Sequence, residues 1–522
     1  MTKVTTNKSA GVAGEAYDEA PYESFPFAMT HPAHLRSLGL IFGAKPPALE
    51  KARILEIGCA AGGNIIPIAY QYPNAEVVGI DASDIQIKQG QKEIKGLGLK
   101  NIKLETTCLR KINEKSGKFD YIIAHGVFSW NSHDLQNYIF EICQNNLTEN
   151  GIAYISYNTL PGWNAVRSTR DMMRFHSGNI EDPAERVQQS ATLLKFVSDA
   201  AKQYNENYAK IIEDELNAMS QYHKSYMLHE YLEQDNHQFY FHEFMNRAAT
   251  YGLQYLSDAN LPSMYLGNLG KDIAEKLSEL KNIIATEQYM DFILNRRFRA
   301  TLLCNKNVKL NRDLSPDAVK DFYFETSIKP EKPLITVDIH NKEETLEFKV
   351  IQSEGSSHLD ISTTSPIMKA VFYVMHEAVV QLKLPELYKL AAKKLTNIST
   401  EQIKAEFESN LLRLVFAGYI SICSEPKHYA SEVSKKPKAN DVARYQAGLR
   451  NQLWVTNSKH HKLQLGAFEK AVLVKLDGKH TTDEILDEVI KLIKSGELNM
   501  QRNSEKIDYD ESMREDLKAY IE

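Results

Sequence analysis

The chain has few cysteines and they are scattered: Cys59, Cys108, Cys143, Cys304 and Cys423 form no CxxC pair. An odd, dispersed set excludes a disulfide framework and is expected of reduced thiols in a cytoplasm. No stretch approaches the roughly 20 apolar residues of a membrane span. The opening residues contain no apolar core of the kind a signal peptide needs, so neither export nor anchoring is expected and the location expected is cytoplasmic. Positive charge is not in excess. Lys and Arg number 62 against 68 Asp and Glu, a formal charge of −6, which argues against a sequence-independent grip on nucleic acid. Tryptophan occurs only three times, at 130, 163 and 454. The remainder is globular in character, with 43% hydrophobic and 25% charged residues. At 522 residues the chain exceeds a single core, and about three or four domains are expected.

Residues 53–83 carry the most information. An apolar run (Ile54, Leu55, Ile57) leads into Glu56-Ile57-Gly58-Cys59-Ala60-Ala61-Gly62-Gly63; a helical pattern follows, then Val77-Val78-Gly79-Ile80 and Asp81. Strand, glycine turn, helix, strand, acid is the plan of a nucleotide-binding βαβ unit. The spacing E-x-G-x-x-x-G differs from the GxGxxG of hydride-transfer folds and resembles motif I of the S-adenosylmethionine-dependent methyltransferases. Glycine at 58 and 62 lets backbone approach a ligand where a Cβ would collide. Asp81 at a strand tip can accept both hydroxyls of a ribose. Cys59, inside the turn, is expected to be a small buried thiol rather than a nucleophile.

Strands are expected at 53–57, 76–80, 101–105, 119–124 and 151–158, with helices at 62–71, 84–96 and 134–147. This alternation predicts a doubly wound, largely parallel α/β sheet whose ligand crevice lies beyond the strand ends. Before it, 1–15 are expected to be disordered, and 16–27 pack four aromatics and two prolines as a lid or staple. After it, 164–300 lose the strand signal: helices are expected over 184–208, 209–222 and 272–298, the last ending in a solvated basic cluster at Arg296-Arg297. A hairpin is expected from 334–339 and 345–351, then helices at 366–382, 386–394 and 400–417 and a strand at 419–423, together winged-helix-like. Residues 425–441 read as a linker. The resulting division is a lid (1–50), a catalytic domain (51–165), a helical unit (166–305), an α+β winged-helix-like unit (306–424) and a small C-terminal domain (442–522).

Two strand ends bring unusual residues towards the crevice. The fourth opens into His125-Gly126-Val127-Phe128-Ser129-Trp130 and the fifth into Asn158-Thr159-Leu160-Pro161-Gly162-Trp163. Methyl transfer to an amine needs a neutral nitrogen aligned behind the donor carbon and water excluded. Aromatic walls favour the neutral amine and can hold the methylated cation. An amide such as that of Asn158 can aim the lone pair. These features make Trp130, Asn158 and Trp163 candidate catalytic residues, though any single aromatic can equally be capping the sheet.

The blocks YDEAPYESFPFAMTHP (17–32), LEIGCAAGGNIIP (55–67), HGVFSW (125–130) and YNTLPGW (157–163) resemble the signature of a bacterial class I methyltransferase family with an appended regulatory domain. The segments YMLHEYL (226–232), FYFHEF (239–244) and GLQYL (252–256) resemble that regulatory domain, and 465–478 fits the family's tail. Within the family the chain is most similar to the rickettsial protein-lysine methyltransferases acting on an outer-membrane surface protein. The resemblance implies a Rossmann-like seven-stranded catalytic domain using S-adenosyl-L-methionine and releasing S-adenosyl-L-homocysteine. It implies N-methylation of lysine in a polypeptide, with the surface protein modified before export, no nucleic-acid partner, and extra domains that wall the polypeptide or mediate a homodimer. It places Glu56, Gly58, Gly62, Asp81 and Ala82 on the cofactor, with Thr30 and His31 folded over it, His125 beside it, and Tyr22 and Phe25 at the acceptor entrance. One departure concerns the adenine. Where many such enzymes carry an acid after the third strand, this chain reads Glu105-Thr106-Thr107-Cys108-Leu109, so backbone around Thr107, Cys108 and Leu109 is expected to hold the ring, or Glu105 does.

His223, His229, His237 and His242 invite a metal reading, but no HExxH or cysteine partner accompanies them, and helix packing is expected instead. The competing functions are a methyltransferase with a small-molecule or RNA acceptor, and a non-catalytic cofactor-binding module.

Overall fold

The computed structural model describes residues 23–220, 227–233, 235–326, 328–350, 360–426, 430, 432–502, 505–507 and 509–521. The segment 1–15, Tyr17, Tyr22 and His223 lie outside the described residues, as do the side chain of His229 and part of the 425–441 linker.

Five strands follow the expected alternation: β1 (Arg53–Ile57), β2 (Glu76–Asp81), β3 (Ile102–Thr106), β4 (Phe119–Ala124) and β5 (Leu147–Asn158). All neighbouring pairs among them are parallel. The sheet is completed by β6 (Leu253–Asp258) and β7 (Phe298–Asn305), giving the seven-stranded order β3-β2-β1-β4-β5-β7-β6. β7 runs antiparallel to both β5 and β6. Alternate residues of the strands enter two different cores. Ile54, Tyr121, Ile123 and Tyr154 join one, while Leu55, Ile57, Ile122 and Ile155 join the other. Burial on both faces is why these strands read as unbroken apolar runs.

The helices start where local chemistry says they should. His31 caps α1 (Pro32–Ile41) with Pro32 at its first position, and Ser83 caps α3 (Asp84–Leu97), which ends on left-handed Gly98. α2 (Ile65–Gln71) follows the glycine turn and α4 (His133–Asn146) follows β4. Next come α5 (Trp163–Ser177), α6 (Pro183–Ala201), α7 (Glu206–Ser220), α8 (Phe241–Thr250), α9 (Lys271–Ser278) and α10 (Ile283–Leu294).

Three expectations are corrected here. The 164–300 stretch is not strandless, since β6 and the start of β7 lie in it. The helix expected over 272–298 breaks between Ser278 and Ile283 and stops at Asn295, which sits at φ 49°; the arginines after it belong to β7 or its approach. Those arginines are ion-paired, although the Arg297 side chain stays 44% exposed. Arg296 Nε lies 2.9 Å from Asp291, and Arg297 pairs at 2.6 Å with Glu215. Finally, 334–339 form no strand. Leu334–Thr336 is a 3-10 turn after Pro333, and β10 (Leu346–Val350) pairs instead with β9 (Ile328–Pro330) and β11 (Ile361–Thr363). Pro330 and Pro333 bring no N–H to a ladder there.

Beyond these, β8 (Tyr323–Thr326) pairs with β12 (Ile420–Cys423) around α11 (Pro366–Glu377), α12 (Leu384–Lys394) and α13 (Thr400–Phe416). The C-terminal unit contains α14 (Asp441–Gly448), the hairpin β13 (Trp454–Thr456) and β14 (Lys462–Gln464), α15 (Ala467–Lys475) and α16 (Thr482–Lys494). Among the described residues no helix is long and apolar enough to cross a membrane.

Candidate active site

The glycine turn sits over the carboxyl ends of β1 and β2. The N–H groups of Gly58 and Cys59 both donate to the Ile80 carbonyl, at 2.8 and 3.0 Å, which bends the chain away from the sheet. Gly58 and Gly62 adopt φ values of 72° and 78°, a region open mainly to glycine. A Cβ on Gly58 would stand 2.4 Å from Val127 Cγ2, so the turn also packs against the loop after β4. Asp81 ties the two tips together: Ala60 N–H donates to Oδ2 at 2.9 Å and Ser83 N–H to Oδ1 at 2.8 Å. Ala82 is exposed beside it.

Glu56 is 3% exposed. Asn64 Nδ2 donates to its Oε1 at 2.6 Å, whereas Oε2 is buried with no hydrogen-bond partner. Burial pushes this carboxyl up to about 8, opposed by the Asn64 hydrogen bond and assisted by the nearby Asp81 charge.

The lid segment closes on this turn. Ser24 Oγ accepts the Gly63 N–H at 2.8 Å, and a Cβ on Gly63 would fall 2.0 Å from the Ser24 carbonyl oxygen. Thr30, fully buried, donates through Oγ1 to Asn64 Oδ1 at 3.1 Å. His31 is turned to structure: its Nδ1 accepts the Ala33 N–H, and its Nε2 lies 3.0 Å from Gln71 Oε1. Phe25 lies 4.8 Å from Phe27, whose ring centre is 3.9 Å from that of His125 with the two planes tilted by 43°.

His125 stands between Phe27, Tyr154 and Phe298, with Nδ1 2.9 Å from the Tyr154 hydroxyl. Desolvation lowers its pKa to about 4, so its ring is neutral at physiological pH. Across the sheet end, Asn158 is 3% exposed, its backbone N–H donates to Ser129 Oγ at 2.9 Å, and its Nδ2 is buried without a hydrogen-bond partner. Trp130 is half-buried, with the Arg170 guanidinium 5.5 Å from its ring centre. Arg170, Asn236 and His237 help to line a cavity of about 340 Å³ there.

Trp163 is placed differently from Trp130. It lies in the core of the helical layer with Val166, Met173 and Leu194, and its indole N–H donates to Asn236 Oδ1 at 3.1 Å. At the far edge Thr107 N–H donates to the Asp81 carbonyl at 2.8 Å, and Cys108 precedes a 3-10 turn begun by Leu109. Glu105 is ion-paired with Lys103. His237 lies 4.5 Å from His133, and His242 meets Gln288 at 2.9 Å. Among the described residues no group of three or more His, Cys, Asp or Glu could hold a metal ion.

Three residues were not singled out from sequence: Ser24, Asn64 and His460. Asn64 stands at a helix start, where asparagine ordinarily bonds its own helix. Here its side chain makes no cap and instead gathers Glu56, Phe27, Thr30 and His460. His460 comes from 396 residues away, a distance no local pattern could bridge.

Residues 49–236 match the profile of a methyltransferase domain, 223–305 that of a predicted methyltransferase regulatory domain, and 435–522 the C-terminal winged helix domain of PKMT. The winged-helix match thus falls on the C-terminal unit, whereas that architecture was expected of 306–424. An uncharacterized protein of Rickettsia prowazekii (strain Madrid E) is 44% identical over 96% of this chain and 90% of its own length. The solved structure of PKMT2 from Rickettsia typhi in complex with AdoHcy is 38% identical. It covers 96% of this chain and 97% of its own, with a TM-score of 0.87. The chain therefore belongs to the PKMT family of S-adenosylmethionine-dependent methyltransferases, a Rossmann-like catalytic domain joined to a regulatory and a winged-helix domain.

Proposed function

We propose that the protein N-methylates lysine side chains of a polypeptide, in the cytoplasm, and that its substrate is a bacterial surface or outer-membrane protein modified before export. The observation that carries the lysine reading is a neutral, aromatic-walled histidine (His125) just beyond β4, in a sheet whose β5 ends on the buried Asn158.

The residues present fit S-adenosylmethionine. Glu56 Oε2 is a buried carboxylate oxygen awaiting a donor, the role an α-ammonium group fills. Gly58 and Gly62 leave room for backbone-to-ligand contact, and Asp81 stands at the tip of β2 for a ribose diol. The cofactor, when bound, supplies an electrophilic methyl group on a sulfonium. The chain's own residues position the acceptor. A lysine amine is charged in water, with pKa ~10.4; the aromatic surroundings of Phe27 and His125 favour its neutral form, as does the Arg170 guanidinium 5.5 Å from the Trp130 ring centre. His125 adds no positive charge to oppose its approach. With so depressed a pKa it is also a poor base, so the amine proton leaves to water, not to the ring. The Asn158 carbonyl oxygen Oδ1 would accept an amine N–H and so orient the nitrogen, leaving its lone pair free. Tyr22, which precedes the described lid residues, is assigned to the acceptor entrance with Phe25.

The test is mass spectrometry of unfolded surface-protein fragments incubated with S-adenosylmethionine, with Asp81→Ala as control. Methyl-sized mass steps on lysine, lost in Asp81→Ala, are expected. Cofactor binding without any lysine gain would reassign the acceptor to a small molecule or RNA.

A further inference from the structure

The winged-helix domain does not stand apart from the catalytic site. Its helix α14 docks on the helices that follow the glycine turn and Asp81. Tyr70 donates from its hydroxyl to Asp441 at 2.9 Å, and Gln446 Nε2 to Glu93 at 3.2 Å. The Tyr445 ring lies so close to Gly96 that a Cβ there would meet it at 2.3 Å. Anchored in this way, the β13–β14 hairpin projects over the lid. Trp454 Nε1 donates to Glu23 Oε1 at 2.5 Å and Lys462 Nζ to Glu23 Oε2 at 2.8 Å. The Lys462 ammonium also lies 4.6 Å from the Phe25 ring, which meets Trp454 edge-on at 6.3 Å.

The hairpin turn reaches further. His460 is 5% exposed and holds a left-handed φ of 62°, a conformation costly for a residue bearing a Cβ. Its backbone N–H donates to the Asn457 carbonyl, while Asn457 Oδ1 accepts from Lys459 and His461, so the turn is fixed from within. The ring meets Asn64 Oδ1 at 2.9 Å. That oxygen also accepts the Phe27 backbone N–H, which can only donate, so the amide orientation is set and His460 Nε2 must carry the hydrogen. Asn64 therefore collects donors from the lid (Phe27, Thr30) and from the hairpin (His460). It passes a hydrogen bond on to Glu56.

We propose that the winged-helix hairpin is a wall of the cofactor site, and that His460 is a positioning residue which, through Asn64, fixes both the Glu56 carboxyl and the closed lid. The inference rests on the cofactor reading of Glu56 and not on the identity of the acceptor. A cofactor cannot enter or leave past the lid without loosening the bonds converging on Asn64, so the C-terminal domain governs its retention.

The test uses the full chain and S-adenosylhomocysteine. His460→Gly removes the donor while easing the left-handed turn, and His460→Gln keeps a donor of similar reach. Calorimetry should show affinity falling about tenfold or more in His460→Gly and staying within about threefold in His460→Gln. Without ligand, chymotrypsin should cut the Phe27–Ala28 bond faster in His460→Gly than in wild type or His460→Gln. Melting temperature controls for folding. Wild-type affinity and lid protection in His460→Gly would overturn the proposal. Equal losses in both variants would also overturn it, because the donor would then be irrelevant. A chain that binds S-adenosylhomocysteine as expected yet methylates no lysine would refute the acceptor reading alone.

Discussion

Glu56 offers the sharpest quantitative test. In the ligand-free protein, burial holds its carboxyl at about 8, against an ordinary 4.5. At pH 6.5 it is therefore almost wholly protonated, and an ammonium group can be received at full strength only by the ionised form. Binding of S-adenosylhomocysteine at pH 6.5 should release about one proton. Calorimetry in two buffers of different ionisation enthalpy reads this number directly. The affinity should rise with pH, by up to about tenfold per unit, and level off near pH 8. Glu56→Gln should abolish the release and weaken binding. The same substitution should stabilise the free protein, because a carboxyl whose folded pKa is raised costs stability as pH climbs from its ordinary value to about 8. At pH 7 that cost is on the order of 3 kcal/mol, so the melting temperature of Glu56→Gln should exceed that of wild type, with the gap closing below pH 5. Identical proton release in both proteins, or a less stable Glu56→Gln, would refute the assignment.

Gly58→Ala places a Cβ 2.4 Å from Val127 at φ 72°, which should cost about 1–3 kcal/mol and impair cofactor binding. Adding Val127→Ala should relieve the clash but not the backbone strain, so recovery in melting experiments should be partial. Arg299 is fully buried against Asp258, Glu287 and Asp291. Arg299→Ala should cost about 3–5 kcal/mol, more at pH 8 than at pH 5, since the stranded carboxyls can escape by protonation only at low pH. Asn158→Ala should lower kcat about tenfold or more while S-adenosylhomocysteine affinity stays unchanged; an unchanged kcat would remove Asn158 from acceptor alignment.

Much of the parallel half of the sheet was legible because burial on two faces leaves apolar runs, and those of β1 and β2 are closed by Gly58 and Asp81. β6 and β7 were not, for opposite reasons. Leu253–Asp258 is brief and flanked by helical patterns. Phe298–Asn305 has arginine on both sides of its first residue and follows a helix, which reads as a charged helix end. Only tertiary structure reveals that Asp258, Glu287 and Asp291 neutralise Arg299. The turn formed by Gly58, Gly62 and Asp81 could be located from spacing because its geometry is local. Asn64 and His460 act through contacts between distant segments, and one asparagine looks much like another in sequence. Trp163 shows the converse limit: its position suggested the crevice, whereas its ring lies in the helical core.

The late arrival of β7 has a consequence for biosynthesis. β5 is twelve residues long and meets β7 along Ala153–Asn158, yet about 140 residues separate Asn158 from Phe298. At typical elongation rates the open edge of β5 waits about 7 to 30 s for its partner to leave the ribosome. During that interval an apolar strand edge is a template for self-association. A chain truncated after the catalytic profile, near residue 236, would keep that edge open for its lifetime. The regulatory segment that supplies β6 and β7 is thus also what covers the open edge of the catalytic sheet.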